Sequence, residues 1–220
     1  MREFSEIFTI AAERKGGHDA LEKLLVKPLN PDELAKIPED RWLSQLTKCV
    51  FQAGFNWKVI EIKWDGFENA FHGFDVDRCA FLHDEDMDEL MSNAAIVRNG
   101  PKIRTVIDNA HFLKSLRDQG GVGRVLGGWS SSDYIGLLDM MKLNGSRIGG
   151  NTGQYAMRFI GRDSFILSRD VVARLIAEGV IDKPPTSKGA RRQVQDAFNT
   201  WMAQSDRSLT EISRVLAMSV

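Results

Sequence analysis

The chain has 220 residues, 43% of them hydrophobic, enough to bury one or two modest cores. Lys and Arg (29) nearly cancel Asp and Glu (30) for a net charge of −1, so a polyanionic partner would have to meet a local basic surface. No apolar run is long enough to cross a bilayer, which excludes a membrane-spanning helix. The opening MREFSEIFTIAAERKGG also carries Arg2, Glu3 and Glu6 where a secretion signal needs an apolar stretch. The expectation is a cytoplasmic chain whose two cysteines, Cys49 and Cys79, are reduced thiols. Its four histidines and two cysteines show no metal-ligand spacing, so no metal is expected.

Helical periodicity runs through the chain. Trp42, Leu46, Cys49, Val50 and Ala53 fall on one helix face, and Gly54 follows as a stop. Asn56 and Asp75 are candidate N-caps for the next helices, and Asp84, Glu85, Asp86, Asp88 and Glu89 read as a charged, solvated helix start. Ile103, Val106, Ile107, Ala110, Leu113 and Leu116 form a second apolar face. Between Gly145 and Asp170 a glycine-rich turn, Ile148-Gly149-Gly150-Asn151, leads into a helix opened by Thr152. Pro184-Pro185 then breaks the helical pattern, Ser187 offers a new N-cap, and Lys188 to Val220 reads as two helices split near Asp206. No segment alternates with a strand's period of two, so the expected class is all-α.

The glycine-rich turn carries a chemical implication. Glycines let another backbone approach, and N–H groups at a helix start face outward, which favours a phosphate. Basic residues near the two Gly-bearing turns are Arg98, Lys102 and Arg104, then Arg147, Arg158 and Arg162, with Lys188, Arg191 and Arg192 further on. Charge count alone favours reading such residues as solvated helix faces. Their position beside the turns points instead to phosphate contact by Arg147, Gly149, Gly150, Asn151, Thr152, Arg98 and Lys102.

A glycine hairpin, a helix and then a carboxylate, Asp170, together resemble the helix-hairpin-helix DNA glycosylases. The segment Gln52-Ala53-Gly54-Phe55-Asn56-Trp57 is similar to the Q-A-G-L-S-W segment of the 3-methyladenine DNA glycosylase I family. The similarity continues through Phe67, Phe71 and Phe74-Asp75, Asp84-Glu85-Asp86, and Ala95 to Ile103 with Asn109-Ala110. Gly150-x-Thr152-x-x-Tyr155 then matches G-x-T-x-x-Y. In all it spans Trp42 to Asp170 in one order, which is more specific than any one motif.

The resemblance implies a two-lobed helix-hairpin-helix DNA glycosylase-like fold with a central cleft. Residues 1–54 and 171–220 would pair as one lobe, and 55–170, with the hairpin near 145–153, would form the other. It implies a monofunctional enzyme that flips a damaged base from double-stranded DNA and hydrolyses its N-glycosidic bond. The enzyme would act as a monomer, in the bacterial cytoplasm or nucleoid, with no cofactor. Gly54 and Phe55 would wedge the duplex. Trp57 would stack on the base, its indole face attracting a cationic N-alkylated purine, and Tyr155 and Cys49 would complete the pocket. Cys49 stands where the family carries a glutamate, and a thiol is a weak hydrogen-bonding group beside a carboxylate. The family's Cys/His zinc ligands are missing too. The superfamily's catalytic acid falls on Asp170 or, two residues earlier, on Ser168, which would leave Asp170 as a helix N-cap. Ile148 to Thr152 holds no lysine, so lyase chemistry is not expected. The competing readings are a non-catalytic module of the same fold that binds damaged DNA, and a helical protein-interaction domain. The latter would explain the periodicity but not the ordered motifs.

Overall fold

A computed structural model describes Met1–Val220. All its regular structure is helical, as the periodicity predicts, with fifteen α-helices and no strand. Two compact units are present. The first comprises Met1–Leu29, Ser130–Leu137 and Gly161–Val220; the second comprises Asn30–Trp129 and Leu138–Ile160. The boundaries expected at 54 and 171 thus fall at other residues, because the helix bearing Trp42 and Cys49 packs within the second unit.

In chain order, the first unit opens with α1 (Phe4–Lys15) and α2 (His18–Glu22). α1 buries Phe4, Ile7, Phe8, Ala11 and Ala12 at helical spacing and stops at Gly16, whose φ of 92° suits glycine. The second unit follows with α3 (Pro31–Ala35), α4 (Glu39–Gln52), α5 (Trp57–Ile62), α6 (Trp64–Ala70), α7 (Val76–Ala80), α8 (Asp84–Ser92), α9 (Gly100–Ser115) and α10 (Val122–Val125). α11 (Tyr134–Asn144) runs across the boundary, and α12 (Gly150–Phe159) ends the second unit. The first unit then resumes with α13 (Arg169–Ala177), α14 (Lys188–Ser205) and α15 (Leu209–Met218).

Several local expectations match the structure. Asn56, Asp75 and Ser187 each cap a helix, their side chains accepting from the backbone N–H of Lys58, Arg78 and Ala190. Asp206, at φ 54°, splits the last two helices. The start of α12 differs. It opens at Gly150 with Gly149 as N-cap, two residues ahead of Thr152. Gly153 lies so close to the Ile148 carbonyl that an added Cβ would sit 2.2 Å from it, so the turn folds directly into the helix.

In the second unit, α4 packs on α9 and α12, and α7 also packs on α9. Phe67, Phe71 and Phe74 are fully buried, and Phe51 meets Phe67 edge-on at 4.6 Å. The matched phenylalanines are therefore core. In the first unit, α1, α13 and α14 pack on α15, while Phe165 stacks on Phe198 at 4.4 Å. No helix is long and apolar enough to cross a membrane.

Candidate functional site

The site is built from the end of α4. After Gln52 the chain leaves the helix through Ala53 and turns at Gly54, whose φ of 75° is the left-handed region glycine tolerates. The Phe55 N–H donates to the Gln52 carbonyl at 3.1 Å, and Phe55 stands out half-exposed. From α9, Lys102 reaches across and donates its ammonium to the carbonyls of Ala53 at 2.6 Å and Phe51 at 3.2 Å. Its Nζ also lies 4.4 Å from the centre of the Phe55 ring. A cation here completes the α4 C-terminus, where carbonyls lack helix partners. This corrects the expectation for Lys102. It is 6% exposed, and its charge is spent on α4 rather than offered to phosphate. Burial, and then the nearby Arg147 guanidinium, lower its pKa.

Asn56 caps α5, which fixes Trp57 in the first turn. Trp57 is 40% exposed and meets Tyr155 edge-on at 5.4 Å and Phe159 at 6.0 Å. Both rings come from α12, so α5 and α12 share an aromatic seam. Beside it lies a pocket of about 150 Å³ lined by Cys49, Gln52, Ala53, Gly54, Trp57, Asn151, Thr152 and Tyr155. The structure therefore gathers Trp57, Cys49 and Tyr155 with Gly54 and two hairpin residues in one place, wholly within the second unit.

No lining residue carries a formal charge at neutral pH. Burial pushes the Cys49 thiol up to about 11, and Gln45 donates to its sulfur at 3.3 Å. Gln52, which sequence reasoning passed over as a pocket residue, is buried at the same wall. Its signal was available: it stands three residues after Cys49, about one helical turn, and so on the same face of α4.

The hairpin between α11 and α12 is held from below. The buried Asn109 side chain accepts from the Ser146 N–H at 2.8 Å and donates to the Ser146 carbonyl at 3.1 Å. Arg147 follows at φ 58°, exposed, and Ile148 is fully buried as the anchor. Gly149 then caps α12 without a side-chain hydrogen bond, so side chains leave the first N–H groups of that helix open. Gly150, Asn151 and Thr152 form its first turn; a Cβ at Gly150 would meet nothing within 4 Å. Arg98 is exposed just ahead of Asn99, the N-cap of α9. Arg162, counted among the basic residues near this turn, is 1% exposed, with its guanidinium 5.1 Å from the Tyr134 ring centre. It therefore packs in the core of the first unit.

Asp170 belongs to the first unit, exposed in the first turn of α13. It is not the cap. Ser168 is, its hydroxyl accepting from the Val171 N–H at 3.3 Å. The two positions between which the sequence left the acid open thus have different local duties. No three His, Cys, Asp or Glu side chains come together as a metal site.

Residues 36–131 match the model of the methyladenine glycosylase family. The DNA-3-methyladenine glycosylase 1 of Escherichia coli (strain K12) is 32% identical over 69 residues, 31% of this chain and 37% of that protein. The enzyme of Haemophilus influenzae aligns at the same identity and extent. The match thus spans little more than a third of these curated relatives. Among solved structures, the Staphylococcus aureus 3-methyladenine DNA glycosylase I superposes with a TM-score of 0.52 at 21% identity, covering 62% of this chain and 80% of that one. The Methanocaldococcus jannaschii 8-oxoguanine DNA glycosylase superposes with a TM-score of 0.57 at 14% identity, covering 95% and 91%. At such identities these likenesses describe the fold. Over residues 36–131 the chain thus matches the methyladenine glycosylase family, within an all-helical fold of the DNA glycosylase kind.

Proposed function

We propose that this protein is a DNA glycosylase that flips an alkylated base from double-stranded DNA and hydrolyses its N-glycosidic bond without a diffusible cofactor. The observation that carries the reading is the single pocket where Trp57, Tyr155 and Cys49 meet Asn151 and Thr152 of the hairpin helix. A base-binding wall and a phosphate-facing helix start are thereby parts of one small region. Phe55 fills the gap left in the duplex, where stacking of a ring on a base is worth about 1–3 kcal/mol. Arg147, Arg98 and the open N–H groups of Gly150, Asn151 and Thr152 hold the phosphates. Trp57 stacks on the base, and its indole favours a cationic N-alkylated purine.

Departure of the base leaves positive charge on the sugar, and we assign its stabilisation to Asp170. Two facts support that choice over Ser168. The cap duty falls on Ser168, and the Asp170 carboxylate has neither a hydrogen bond nor an ion pair. On this reading the protein works as a monomer in the compartment that holds the chromosome.

The test is a panel of duplex oligonucleotides, each with one alkylated, deaminated or oxidised base, incubated with protein and then cleaved with alkali. Strand breaks at alkylated purines are expected. Tight binding to lesions without any release would identify a non-catalytic reader instead.

A further inference from the structure

A second cavity, of about 270 Å³, opens in the second unit and shares no residue with the pocket beside Trp57. Its polar lining converges from three segments: Asn69 of α6, His72 of the turn after it, and Asp86 and Glu89 of α8 with the C-cap Asn93. His72 stands at φ 53°, a left-handed conformation that residues other than glycine rarely adopt. Its neighbours Phe71 and Phe74 are fully buried and stack at 5.4 Å, and Arg41 donates to the Gly73 carbonyl at 2.6 Å. The surrounding packing thus sets this wall before any ligand arrives.

The lining selects the charge of an occupant. Two carboxylates face the cavity and no lysine or arginine does, which disfavours an anion and favours a cation. Asp86 and Glu89 are three residues apart on one helix, so their Cβ atoms lie roughly 5–6 Å from each other. The Glu89 carboxylate makes no hydrogen bond or ion pair with the protein. Asp86 commits only Oδ2, to the backbone N–H and the Nδ1 of His83. A bare metal ion does not fit, because no three His, Cys, Asp or Glu side chains come together as ligands. Two carboxylates one turn apart call for two linked charges, which a single lysine or arginine of a partner cannot bring. An aliphatic polyamine brings them at short methylene spacings. Ala70, Leu82 and the buried Leu90 line the same cavity and suit the methylenes, while the amide oxygen of Asn69 is a further acceptor for amine N–H groups.

We propose that the cavity between α6 and α8 is a binding site for an aliphatic polyamine, its ammonium groups held by Asp86 and Glu89. The proposal does not depend on the glycosylase reading.

The experiment titrates the full chain with spermidine by isothermal calorimetry at fixed ionic strength, with magnesium chloride as competitor. Saturable binding at one site is expected, undisturbed by equimolar magnesium. Glu89→Gln removes one charge from a side chain without a protein partner, so the melting temperature should hold. It should weaken spermidine binding about tenfold, the scale of one charge-assisted hydrogen bond. Glu85→Gln, on the same helix but outside the lining, should leave binding as it was. In nitrogen-15 spectra the side-chain NH2 signals of Asn69 and Asn93 should move with spermidine. Heats that never saturate, displacement by magnesium, or equal losses in Glu89→Gln and Glu85→Gln would reduce the effect to a cation atmosphere and overturn the site.

Discussion

Asn109 and Ser146 form a two-point clasp, with both backbone groups of Ser146 bonded to one buried side-chain amide 37 residues away in sequence. The turn that presents Arg147 and Gly149 is thereby tied to α9, the helix that also supplies Lys102 to the end of α4. Asn109→Ala leaves the half-buried N–H and carbonyl of Ser146 without their partner. It should cost about 1–3 kcal/mol in urea denaturation and weaken duplex binding. Unchanged affinity for duplex would show that the hairpin keeps its shape without the clasp.

Lys102 and Arg147 lie close enough for the arginine to depress the lysine's pKa, yet they should respond to mutation in opposite ways. Lys102→Met removes a charged donor from two carbonyls and should destabilise the protein by about 1.5–3 kcal/mol. The slope of DNA affinity against salt should stay as it was. Arg147→Ala should leave the melting temperature alone and flatten that slope by about 0.9, the share of one phosphate contact. Salt titrations of both variants by fluorescence anisotropy decide the matter.

Ser168 and Asp170 separate cap from chemistry. Ser168→Ala should cost about 1 kcal/mol of stability through loss of the N-cap, with base release intact. Asp170→Asn should fold normally and bind lesion DNA, while single-turnover release falls about a hundred- to a thousandfold. Release from Asp170→Asn at the wild-type rate would place the driving force in the charge already on the alkylated base.

The Cys49 thiol yields a prediction in pH. Its folded pKa, near 11, stands above the ordinary value of 9, so the folded state favours the protonated form. The stability this contributes is fully present below pH 9 and is lost as pH rises towards 11. Alkylation of Cys49 by iodoacetamide should accordingly be slow at pH 8 in the native protein and fast after unfolding in urea. Rapid native labelling of this site at pH 8, located by peptide mass, would contradict a buried neutral thiol.

How much of this was legible beforehand depended on whether the cause was local. The faces of α4 and α9 and the caps Asn56, Asp75 and Ser187 depend on spacing and on side chains reaching their own backbone, so the sequence carries them. The helix start at Gly150 was missed because its reason is the close approach of Gly153 to the Ile148 carbonyl rather than a capping side chain. Lys102 and Arg162 look like surface cations by composition. What turns them inward is tertiary: the α4 carbonyls for one, and the Tyr134 ring for the other. Ser168 and Asp170 are both ordinary capping residues, so only geometry could choose between them. Gln52 and Asn109 sat inside motifs read for their neighbours. Their importance comes from burial, which no single sequence displays.

The absence of a formal charge from the pocket lining has an experimental consequence. Phosphate contacts weaken steeply as counterions compete, whereas hydrogen bonds and ring stacking to a base do not involve counterion release. Capture of the duplex and capture of the base should then part company as salt is raised: at high ionic strength the protein should let go of DNA while still holding the free base.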